Sequence, residues 1–415
     1  MSKKTAKQKV VLSYSGGLDT TCLIPWLIEN FNYDVICVCV DVGQEEELKD
    51  LQKRAKASGA KKLYIVDAKN EFCNDFILPC LKANAIYENE YLLGTSMARP
   101  LIGKILVDIA KKEKAVAICH GATGKGNDQI RFELAIKALS PYTKIIAPWR
   151  MTDIWKMTSR EDEIEYCKKK GISLPFDSNK KSYSRDRNLW HISHEGLELE
   201  EPEKAPNYDN LLILSRTPEK AKNSKTNISI TFKNGVPIKL NNKKMDLKNI
   251  IFNLNKIGGE NGIGIIDIVE NRVVGMKSRG VYETPAGTIL IEAHKALEEM
   301  VLDRQTFEFK QIVAIKFANV VYEGKWFSPL REALSAFIDS TQENITGTVN
   351  LSLYKGNIIK NGIKSPNSLY DSNLSSFKTG DLYDHSNATG FINLFSLPEK
   401  VRAMKSIKNK KKIKK

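Results

Sequence analysis

The stretch VVLSYSGGLDTTCLIPWL, residues 10–27, predicts the turn around which this chain folds. Its first part, VVLSY, is an apolar run rich in β-branched residues and is typical of a buried strand, whereas LDTTCLIPWL has the character of a helix. Gly16 and Gly17 fall between the two. Adjacent glycines let the chain turn tightly, and a helix N-terminus attracts anions, so we expect this loop to bind a phosphate.

The first 150 or so residues alternate between strand-like and helical patterns. Four further apolar runs resemble strands, at 34–42, 61–67, 115–120 and 144–148. Helical patterns lie between them, for example at 45–60 and 99–114. This alternation predicts an α/β fold with a doubly wound parallel sheet, whose ligands bind beyond the carboxyl ends of the strands.

The rest of the chain has a different organisation. A helix at 152–170 is expected to close the first domain, and the polar segment 177–207 is too irregular to assign to an element. An α+β domain is then predicted. Strands are expected at 211–215, 227–233, 236–240, 263–269 and 272–276 and within 346–362. Helices are expected at 246–257, within 290–323 and at 329–343.

The C-terminal end is predicted to be an excursion that ends in an amphipathic helix. It carries an apolar cluster that lies outside the patterns of both predicted domains. The cluster is formed by Phe391, Ile392, Leu394, Phe395 and Leu397. We expect this cluster to dock on a sister subunit. The predicted domains are therefore residues 1–170, 171–380 and 381–415.

Composition excludes several classes of protein. No run of about eighteen apolar residues occurs, so no transmembrane helix is expected, and the basic N-terminus lacks the apolar core of a signal peptide. The seven cysteines contain no CxxC pair, which argues against a disulfide framework or a zinc site. Cys37 and Cys39 fall on one predicted strand and are expected to pack in the core. These features predict a cytoplasmic protein.

The net charge of +15 raises the question of nucleic-acid binding. Eleven lysines stand in the two ends of the chain, before residue 10 and after residue 404, which leaves only +4 for everything between them. Charge confined to chain ends favours solubility and weak attraction to polyanions, so no specific nucleic acid is expected as a partner.

The loop that follows the first strand has an unusual composition. It matches neither GxxxxGK[ST] nor GxGxxG, but runs Ser15-Gly16-Gly17-Leu18-Asp19-Thr20. The hydroxyls of Ser15, Thr20 and Thr21 add hydrogen-bond donors to those of the backbone. Asp19 suits such a loop if it contacts a metal or shapes the turn. The alternative is an ordinary Gly-Gly turn with a capping side chain.

A second motif, GATGKGNDQIR at 121–131, follows the fourth predicted strand and therefore reaches the same edge of the sheet. Its glycines permit close approach to a ligand, and Arg131 suits a carboxylate held in bidentate fashion. Thr123, Asn127 and Asp128 add further hydrogen-bond donors and acceptors to the loop. The alternative for this loop taken alone is a flexible turn.

These motifs carry a resemblance to known proteins. SGGLDT is similar to the signature of the PP-loop, or N-type ATP pyrophosphatase, superfamily. Within it, six stretches resemble the argininosuccinate synthase family: 91–104, 120–134, 146–151, 184–196, 266–290 and NATGFIN at 387–393. The resemblance implies an adenine nucleotide alpha hydrolase-like domain, an α+β synthetase domain and a C-terminal oligomerisation helix.

The resemblance also implies an activity. It is that of a carbon–nitrogen ligase of arginine biosynthesis or the urea cycle, which joins citrulline and aspartate through citrullyl-AMP and releases argininosuccinate, AMP and pyrophosphate. The cofactor would be ATP with Mg²⁺ held mainly through ATP and pyrophosphate, and the enzyme would be a cytoplasmic homotetramer with citrulline, aspartate and ATP as its small-molecule partners.

Site residues are implied position by position. ATP would contact Ser13, Tyr14, Ser15, Gly16, Gly17, Leu18, Asp19, Thr20, Thr21, Val40 and Gly121. Citrulline would contact Tyr91, Ser96, Asn127, Arg131, Ser184, Ser193, Glu270 and Tyr282. Aspartate would contact Thr123, Asn127 and Asp128. The candidate catalytic residues are Asp19, Asp128 and Arg131, of which the two aspartates are candidates for the metal side.

Two alternatives stay open at this point. A PP-loop enzyme that acts on tRNA fits the basic charge, but thiolases of that group use cysteines beside the loop, and Cys22 is expected to face the interior. A catalytically inactive binding protein would keep the fold and lose site residues, which are present here. His191 and His194 flank Ser193 too closely to form a catalytic triad with it and are expected to be structural.

Overall fold

In a computed structural model, residues 7–45, 50–172, 174, 183–376 and 383–413 are described. They belong to two compact units, Met1–Asn367 and Ser368–Lys415. Of the basic ends discussed above, Lys3, Lys4, Lys414 and Lys415 lie outside the described residues. Among the helices of the described ranges, none is both long and apolar enough to cross a membrane.

A five-stranded parallel sheet forms the centre of the N-terminal part, as predicted. Its strands are β1 (Lys9–Ser13), β2 (Asp34–Asp41), β3 (Lys62–Asp67), β4 (Ala117–Cys119) and β5 (Lys144–Ile146). They lie in the order β3-β2-β1-β4-β5, and every neighbouring pair is parallel. The chain adds β2 and β3 on one side of β1 and then β4 and β5 on the other side. A sheet of this kind opens a crevice for ligands where the strand order reverses, which is here between β1 and β4.

Both faces of the central strand β1 are buried. Along β1, Val11 packs into one apolar cluster, whereas Val10 and Leu12 pack into another that includes Leu23 of the following helix. This alternation follows from the two-residue period of a strand, and burial on both sides explains why β1 is an unbroken apolar run.

Helices surround the sheet. They are α1 (Leu18–Phe31), α2 (Leu51–Ala57), α3 (Lys69–Glu71), α4 (Leu78–Ala83), α5 (Gly94–Glu113), α6 (Asp128–Leu139) and α7 (Arg160–Lys169), with a π-helical turn at Phe72–Ile77 and a 3₁₀ turn at Pro148–Arg150. The prediction of a helix from residue 152 was wrong at its start. Ser159 caps α7 through a reciprocal pair of hydrogen bonds with Asp162, so the helix begins at Arg160.

Two antiparallel sheets follow. One contains β8 (Thr226–Lys233), β9 (Val236–Leu240), β10 (Lys243–Lys244), β13 (Gly347–Tyr354) and β14 (Asn357–Lys364) in the order β10-β9-β8-β13-β14. The other contains β6 (Ser184–Arg187), β7 (Ile192–Glu195), β11 (Ile265–Asn271) and β12 (Lys277–Glu283) in the order β11-β12-β7-β6. The segment 177–207, which the sequence left unassigned, thus contains two strands of the second sheet.

The helices of this part are α8 (Tyr208–Leu211), α9 (Leu247–Glu260), α10 (Pro285–Val301), α11 (Arg304–Tyr322) and α12 (Pro329–Thr341), with a 3₁₀ turn at Leu197–Glu200. The strand predicted at 211–215 is absent. The N–H groups of Ile213, Leu214 and Ser215 all donate to the buried carboxylate of Glu283 instead of to a neighbouring strand. This carboxylate therefore fixes the segment as an irregular loop.

The strand predicted at 272–276 is also wrong, because these residues form the turn of the β11–β12 hairpin. Gly275 adopts a φ of +93°, and its N–H donates to the carbonyl of Arg272. The apolar residues of this turn are half-buried or exposed, and the strand begins only at Lys277.

The second unit contains two helices, α13 (Asn387–Phe395) and α14 (Leu397–Ile413). The apolar cluster predicted here is exposed, with Leu394 72% and Phe395 70% accessible. Phe391 stacks on Phe395 within the same helix. The cluster is thus an uncovered apolar face of the single chain.

Candidate active site

A cavity of about 880 Å³ lies at the carboxyl edge of the parallel sheet. The β1–α1 loop, the end of β2 and the β4–α6 loop form one side, and strands β6, β7, β11 and β12 contribute to the other. All the residues predicted to bind ATP, citrulline or aspartate line this cavity except Thr21 and Ser96. Those two side chains are fully buried, in α1 and in the first turn of α5.

The β1–α1 loop is a preformed turn with donors around it. Gly16 adopts a φ of +82°, and a Cβ there would stand 2.2 Å from Leu51 Cδ2. The Gly17 N–H donates to Ser15 Oγ at 3.2 Å, and that oxygen lies 3.2 Å from Thr20 Oγ1. Because α1 begins at Leu18, the N–H groups of its first turn have no partner within the helix and are available to an anion.

Arginines supply the positive charge that this loop lacks. Arg54 of α2 donates from Nη1 to the carbonyl of Gly16 at 2.6 Å and lines the cavity. Arg160, the first residue of α7, lines the same cavity. The sequence motif of the loop contains no lysine, so these side chains from two other helices are the cations beside it.

The β4–α6 loop presents its polar side chains in fixed positions. Asn127 Nδ2 donates to the hydroxyl of Tyr322 at 2.9 Å, and Asn127 Oδ1 accepts from the N–H of Val273 at 2.9 Å. Arg131 donates from Nε to the carbonyl of Tyr322 at 3.0 Å and from Nη1 to Asp128 at 3.1 Å. Both side chains are thereby oriented by residues more than 140 positions away.

Arg99 connects two acidic side chains at the cavity wall. Its Nε lies 2.8 Å from Asp128 Oδ2, and its Nη2 lies 2.9 Å from Asp186 Oδ2. Burial raises the pKa of the Asp128 carboxyl, but the adjacent Arg99 and Arg131 outweigh burial and hold that pKa below its usual range. Asp128 is therefore a charged carboxylate with an arginine on each oxygen.

A buried carboxylate and two phenols form the opposite wall. Glu270 of β11 accepts from the hydroxyl of Tyr282 at 2.7 Å and from that of Tyr322 at 2.8 Å. Burial and the adjacent Glu270 carboxylate raise the pKa of both phenols, which keeps them protonated as donors. Burial also raises the pKa of Tyr91, whose ring lies 4.5 Å from that of Tyr282, to about 12.

Comparison with known proteins decides the family. Residues 9–173 match the family described as "Arginosuccinate synthase N-terminal HUP domain", and residues 183–402 match the "Arginosuccinate synthase C-terminal domain". The chain belongs to the argininosuccinate synthase family. The resemblance inferred from the sequence motifs is confirmed, and so is the ligase class that it implies.

Bacterial relatives match this family member over nearly its whole length. Proteins named argininosuccinate synthase from Lachnoclostridium phytofermentans and Lachnospira eligens are each 66% identical to it. The first match covers 96% of this chain and 98% of the relative, and the second 98% and 99%. A protein of the same name from Agathobacter rectalis is also 66% identical, over 98% of this chain and 99% of its own. These matches do not favour the alternative of an enzyme that acts on tRNA.

Two serines and two histidines that the motifs singled out lie on strands of the second antiparallel sheet of this argininosuccinate synthase family member or, for His191, directly before one. Ser184 of β6 and Ser193 of β7 both line the cavity. His191 and His194 are buried, and they hydrogen-bond to Thr95 at 3.0 Å and to Glu283 at 2.8 Å. Their interactions are those of structural side chains.

Asp19 stands beside the phosphate loop next to a second carboxyl group. Glu163 of α7 is buried, and its Oε1 has no hydrogen-bond partner among the described residues. Burial and the adjacent Asp19 carboxylate raise the pKa of Glu163 to about 9, so Glu163 keeps its proton at neutral pH. Within the described parts of the chain, no group of three or more His, Cys, Asp or Glu side chains is arranged to hold a metal ion.

Several residues of the site were missed by the sequence reasoning. Arg99 lies inside the stretch 91–104 that carries the family resemblance, and it is the one arginine of that stretch and the first residue of the helix predicted at 99–114. Arg54, Arg160 and Asp186 also line the cavity. Tyr322 carried no signal in the sequence, because it is the last residue of α11 and no motif surrounds it.

Proposed function

We propose that the cavity joins citrulline to aspartate at the expense of ATP and releases argininosuccinate, AMP and pyrophosphate, a reaction of arginine biosynthesis. The observation that supports this most strongly is the shared cavity: the phosphate loop, the β4–α6 loop and the Glu270–Tyr282 pair all line one space of about 880 Å³. A space of that size suits a nucleotide with a small second substrate.

ATP is assigned to the β1–α1 loop and its surroundings. The pyrophosphate would lie against the first turn of α1, where Ser15, Gly17 and Thr20 present donors. Arg54 and Arg160 would offset the charge of the phosphates. Val40 at the end of β2 and Gly121 after β4 border the same side, where the rest of the nucleotide would lie.

Citrulline is assigned to the wall formed by Tyr91, Arg131, Glu270 and Tyr282. Arg131 is a fork-shaped donor suited to a carboxylate, whereas Glu270 is an acceptor suited to an ammonium or ureido N–H. Ser184 and Ser193 add hydroxyls from the neighbouring strands, and the buried Ser96 interacts with the hydroxyl of Tyr91. These contacts would orient the ureido oxygen towards the α-phosphate.

The first chemical step is attack of the ureido oxygen of citrulline on the α-phosphate of ATP. This forms citrullyl-AMP and expels pyrophosphate, because the ureido oxygen must become part of an AMP ester before it can leave. The chain contributes positioning and charge stabilisation to this step and needs no covalent intermediate of its own.

The second step is attack of the aspartate amine on the activated carbon, which expels AMP. Aspartate is assigned to Thr123, Asn127 and Asp128 in the β4–α6 loop. Asp128 is the charged group among them, and the carboxylate suits the ammonium of the incoming amino acid. Arg131 connects the two substrate walls, because it donates to Asp128 from the citrulline side.

Mg²⁺ is compatible with the residues present. Asp19 offers a hard carboxylate oxygen at the phosphate loop, whereas both oxygens of Asp128 already accept from arginines. When bound, Mg²⁺ would neutralise charge on the pyrophosphate, with Asp19 as its protein ligand and phosphate oxygens as the others.

The assembly and location of the enzyme complete the proposal. A cytoplasmic homotetramer is favoured, with the exposed apolar face of α13 as a contact between subunits. Division into an ATP-binding domain at 1–170, a synthetase domain at 171–380 and a C-terminal arm at 381–415 agrees with the order of the parallel and antiparallel sheets along the chain.

Product analysis tests this function. The purified protein is incubated with ATP, Mg²⁺, citrulline and aspartate, and the products are identified by mass spectrometry. Argininosuccinate, AMP and pyrophosphate are expected in equal amounts, and none of them when citrulline is omitted. Formation of ADP, or turnover that ignores citrulline, would contradict the proposal.

A further inference from the structure

Two buried thiols meet where α1 packs against α7. Cys22 Sγ lies 2.8 Å from Cys167 Sγ, although the residues are 145 positions apart. The Cys22 thiol also lies 3.3 Å from the main-chain oxygen of Glu163, which can accept its proton. Both cysteines are fully buried, and neither is in a disulfide.

The two sulfur atoms are placed for a covalent bond. A disulfide holds its sulfurs about 2.05 Å apart, so the observed separation needs to close by less than 1 Å. The two side chains meet across the interface between α1 and α7. Cys73, by contrast, is buried in the large core cluster that also contains Val11 of β1, and not in the small cluster around Cys22 and Cys167.

We propose that Cys22 and Cys167 are a reversible redox modification site, in which a peroxide converts the two thiols into a disulfide that joins the phosphate-loop helix to α7. One thiolate attacks a peroxide oxygen, which gives a sulfenic acid and water. The second thiol then attacks that sulfur and expels a second water. The two electrons lost by the sulfurs reduce the peroxide, and a dithiol reverses the change.

The two cysteines are expected to play different roles in this reaction. The contact with Cys22 lowers the pKa of Cys167, whereas that same contact and burial raise the pKa of Cys22. The thiolate is the reactive form of cysteine, so Cys167 attacks the peroxide and Cys22 resolves the sulfenic acid. Asp19, Glu163 and Tyr166 are the other titratable groups that face the pair.

The site lies directly behind the active-site cavity. The thiols belong to a small apolar cluster with Leu18, Ile164 and Ile172, and Leu18 itself lines the cavity. A small cluster opens locally more easily than the main core, which gives a peroxide access to buried sulfur. Since α1 carries the phosphate loop at its start, a covalent link one turn along it acts on the ATP side of the site.

The test uses the full-length protein treated with hydrogen peroxide under non-denaturing conditions. We expect the intact mass to fall by about 2 Da, a Cys22–Cys167 peptide to appear in a non-reducing digest, and both effects to disappear with dithiothreitol. We expect the KM for ATP in pyrophosphate exchange to rise by about tenfold, because small displacements of a binding loop are costly, while the KM for citrulline stays unchanged.

Cysteine variants distinguish the effect of this pair from the effect of the other thiols. Cys167→Ala keeps its reduced-state activity and becomes insensitive to peroxide, whereas Cys73→Ala behaves like the wild type. Free alkylation of Cys22 and Cys167 after peroxide treatment, or linkage to another cysteine, would overturn the proposal. If the disulfide forms and the KM for ATP stays unchanged, the proposed effect of the disulfide on ATP binding is wrong. The mass and mapping data do not depend on the substrate assignment, so a failure of the proposed function stays distinguishable.

Discussion

Arg99 Nε lies 2.8 Å from Asp128 Oδ2, and this ion pair fixes the carboxylate that is assigned to aspartate. Arg131 approaches the other oxygen of the same group at 3.1 Å. Two arginines around one carboxylate keep it charged and prevent its rotation, which is the property required of a group that orients an incoming amine.

The first prediction concerns Asp128→Asn. An amide keeps the shape of the side chain but loses the charge that faces the amine, and such a charged hydrogen bond contributes about 1.5–3 kcal/mol. We expect the rate of argininosuccinate formation to fall about 10- to 100-fold. Citrulline-dependent exchange of pyrophosphate into ATP, which requires only the first step, should fall much less. Equal losses in both assays would contradict this role for Asp128.

The second prediction concerns the phosphate loop. In Gly16→Ala, the new Cβ would stand 2.2 Å from Leu51 Cδ2 and 2.9 Å from Arg54 Nη1, so the loop must move. A displacement of about 1 Å can reduce a rate by about 100-fold, and we expect pyrophosphate exchange to fall by that order.

Gly171→Ala is the matched control, because Gly171 also has a positive φ, +67°, but no atom of the described residues lies within 4 Å of its Cβ position. It should strain the backbone without affecting exchange. If the two variants retain the same exchange rate, the shape of the β1–α1 loop is not required for activity.

The third prediction concerns Tyr322, which the sequence did not single out. Tyr322→Phe removes the hydroxyl that donates to Glu270 and accepts from Asn127. Loss of each of these two buried hydrogen bonds costs about 1 to 3 kcal/mol, so we expect the KM for citrulline to rise about tenfold or more with the KM for ATP unchanged. Tyr354→Phe, at the end of β13, is the control. A citrulline KM that stays at the wild-type value would remove Tyr322 from the site.

The fourth prediction concerns pH. Burial lowers the pKa of His191 to about 4, against an ordinary value of about 6.5 in the unfolded chain. Between these values the unfolded chain binds a proton that the folded protein does not. The stabilisation from the neutral His191 is therefore complete above about pH 6.5 and is lost as the pH falls towards 4, by about 1.4 kcal/mol per unit.

Urea unfolding at pH 7 and pH 5 measures this effect. The free energy of unfolding of the wild type should fall by about 2 kcal/mol more than that of His191→Gln over this interval. His385→Gln, which alters an exposed histidine in the C-terminal unit, should show the wild-type slope. A His191→Gln slope equal to that of the wild type would show that His191 titrates normally in the folded protein.

The parallel sheet and its loop were predictable because local pattern and tertiary role coincide there. The run of β1 is apolar throughout because both faces are buried, and Gly16 needs the positive φ that its sequence position indicates. The loops after β1 and β4 lie at the same edge because the strands are parallel, so the sequence alone predicts that their side chains meet there.

Other features depended on partners that are remote in sequence. The LLILS segment at 211–215 has the composition of a strand, but the buried carboxylate of Glu283 captures its N–H groups. Likewise, Tyr322 belongs to the site only because α11 ends beside Asn127 and Glu270. Local propensity contains no information about such contacts.

The central claim is that the ureido oxygen of citrulline attacks the α-phosphate of ATP. It is tested most directly with citrulline labelled with ¹⁸O at the ureido group, in a complete reaction with ATP and aspartate. Mass spectrometry of the AMP should find one labelled oxygen per molecule, since that oxygen leaves with AMP in the second step. AMP without label, or label retained in the ligated product, would contradict the account.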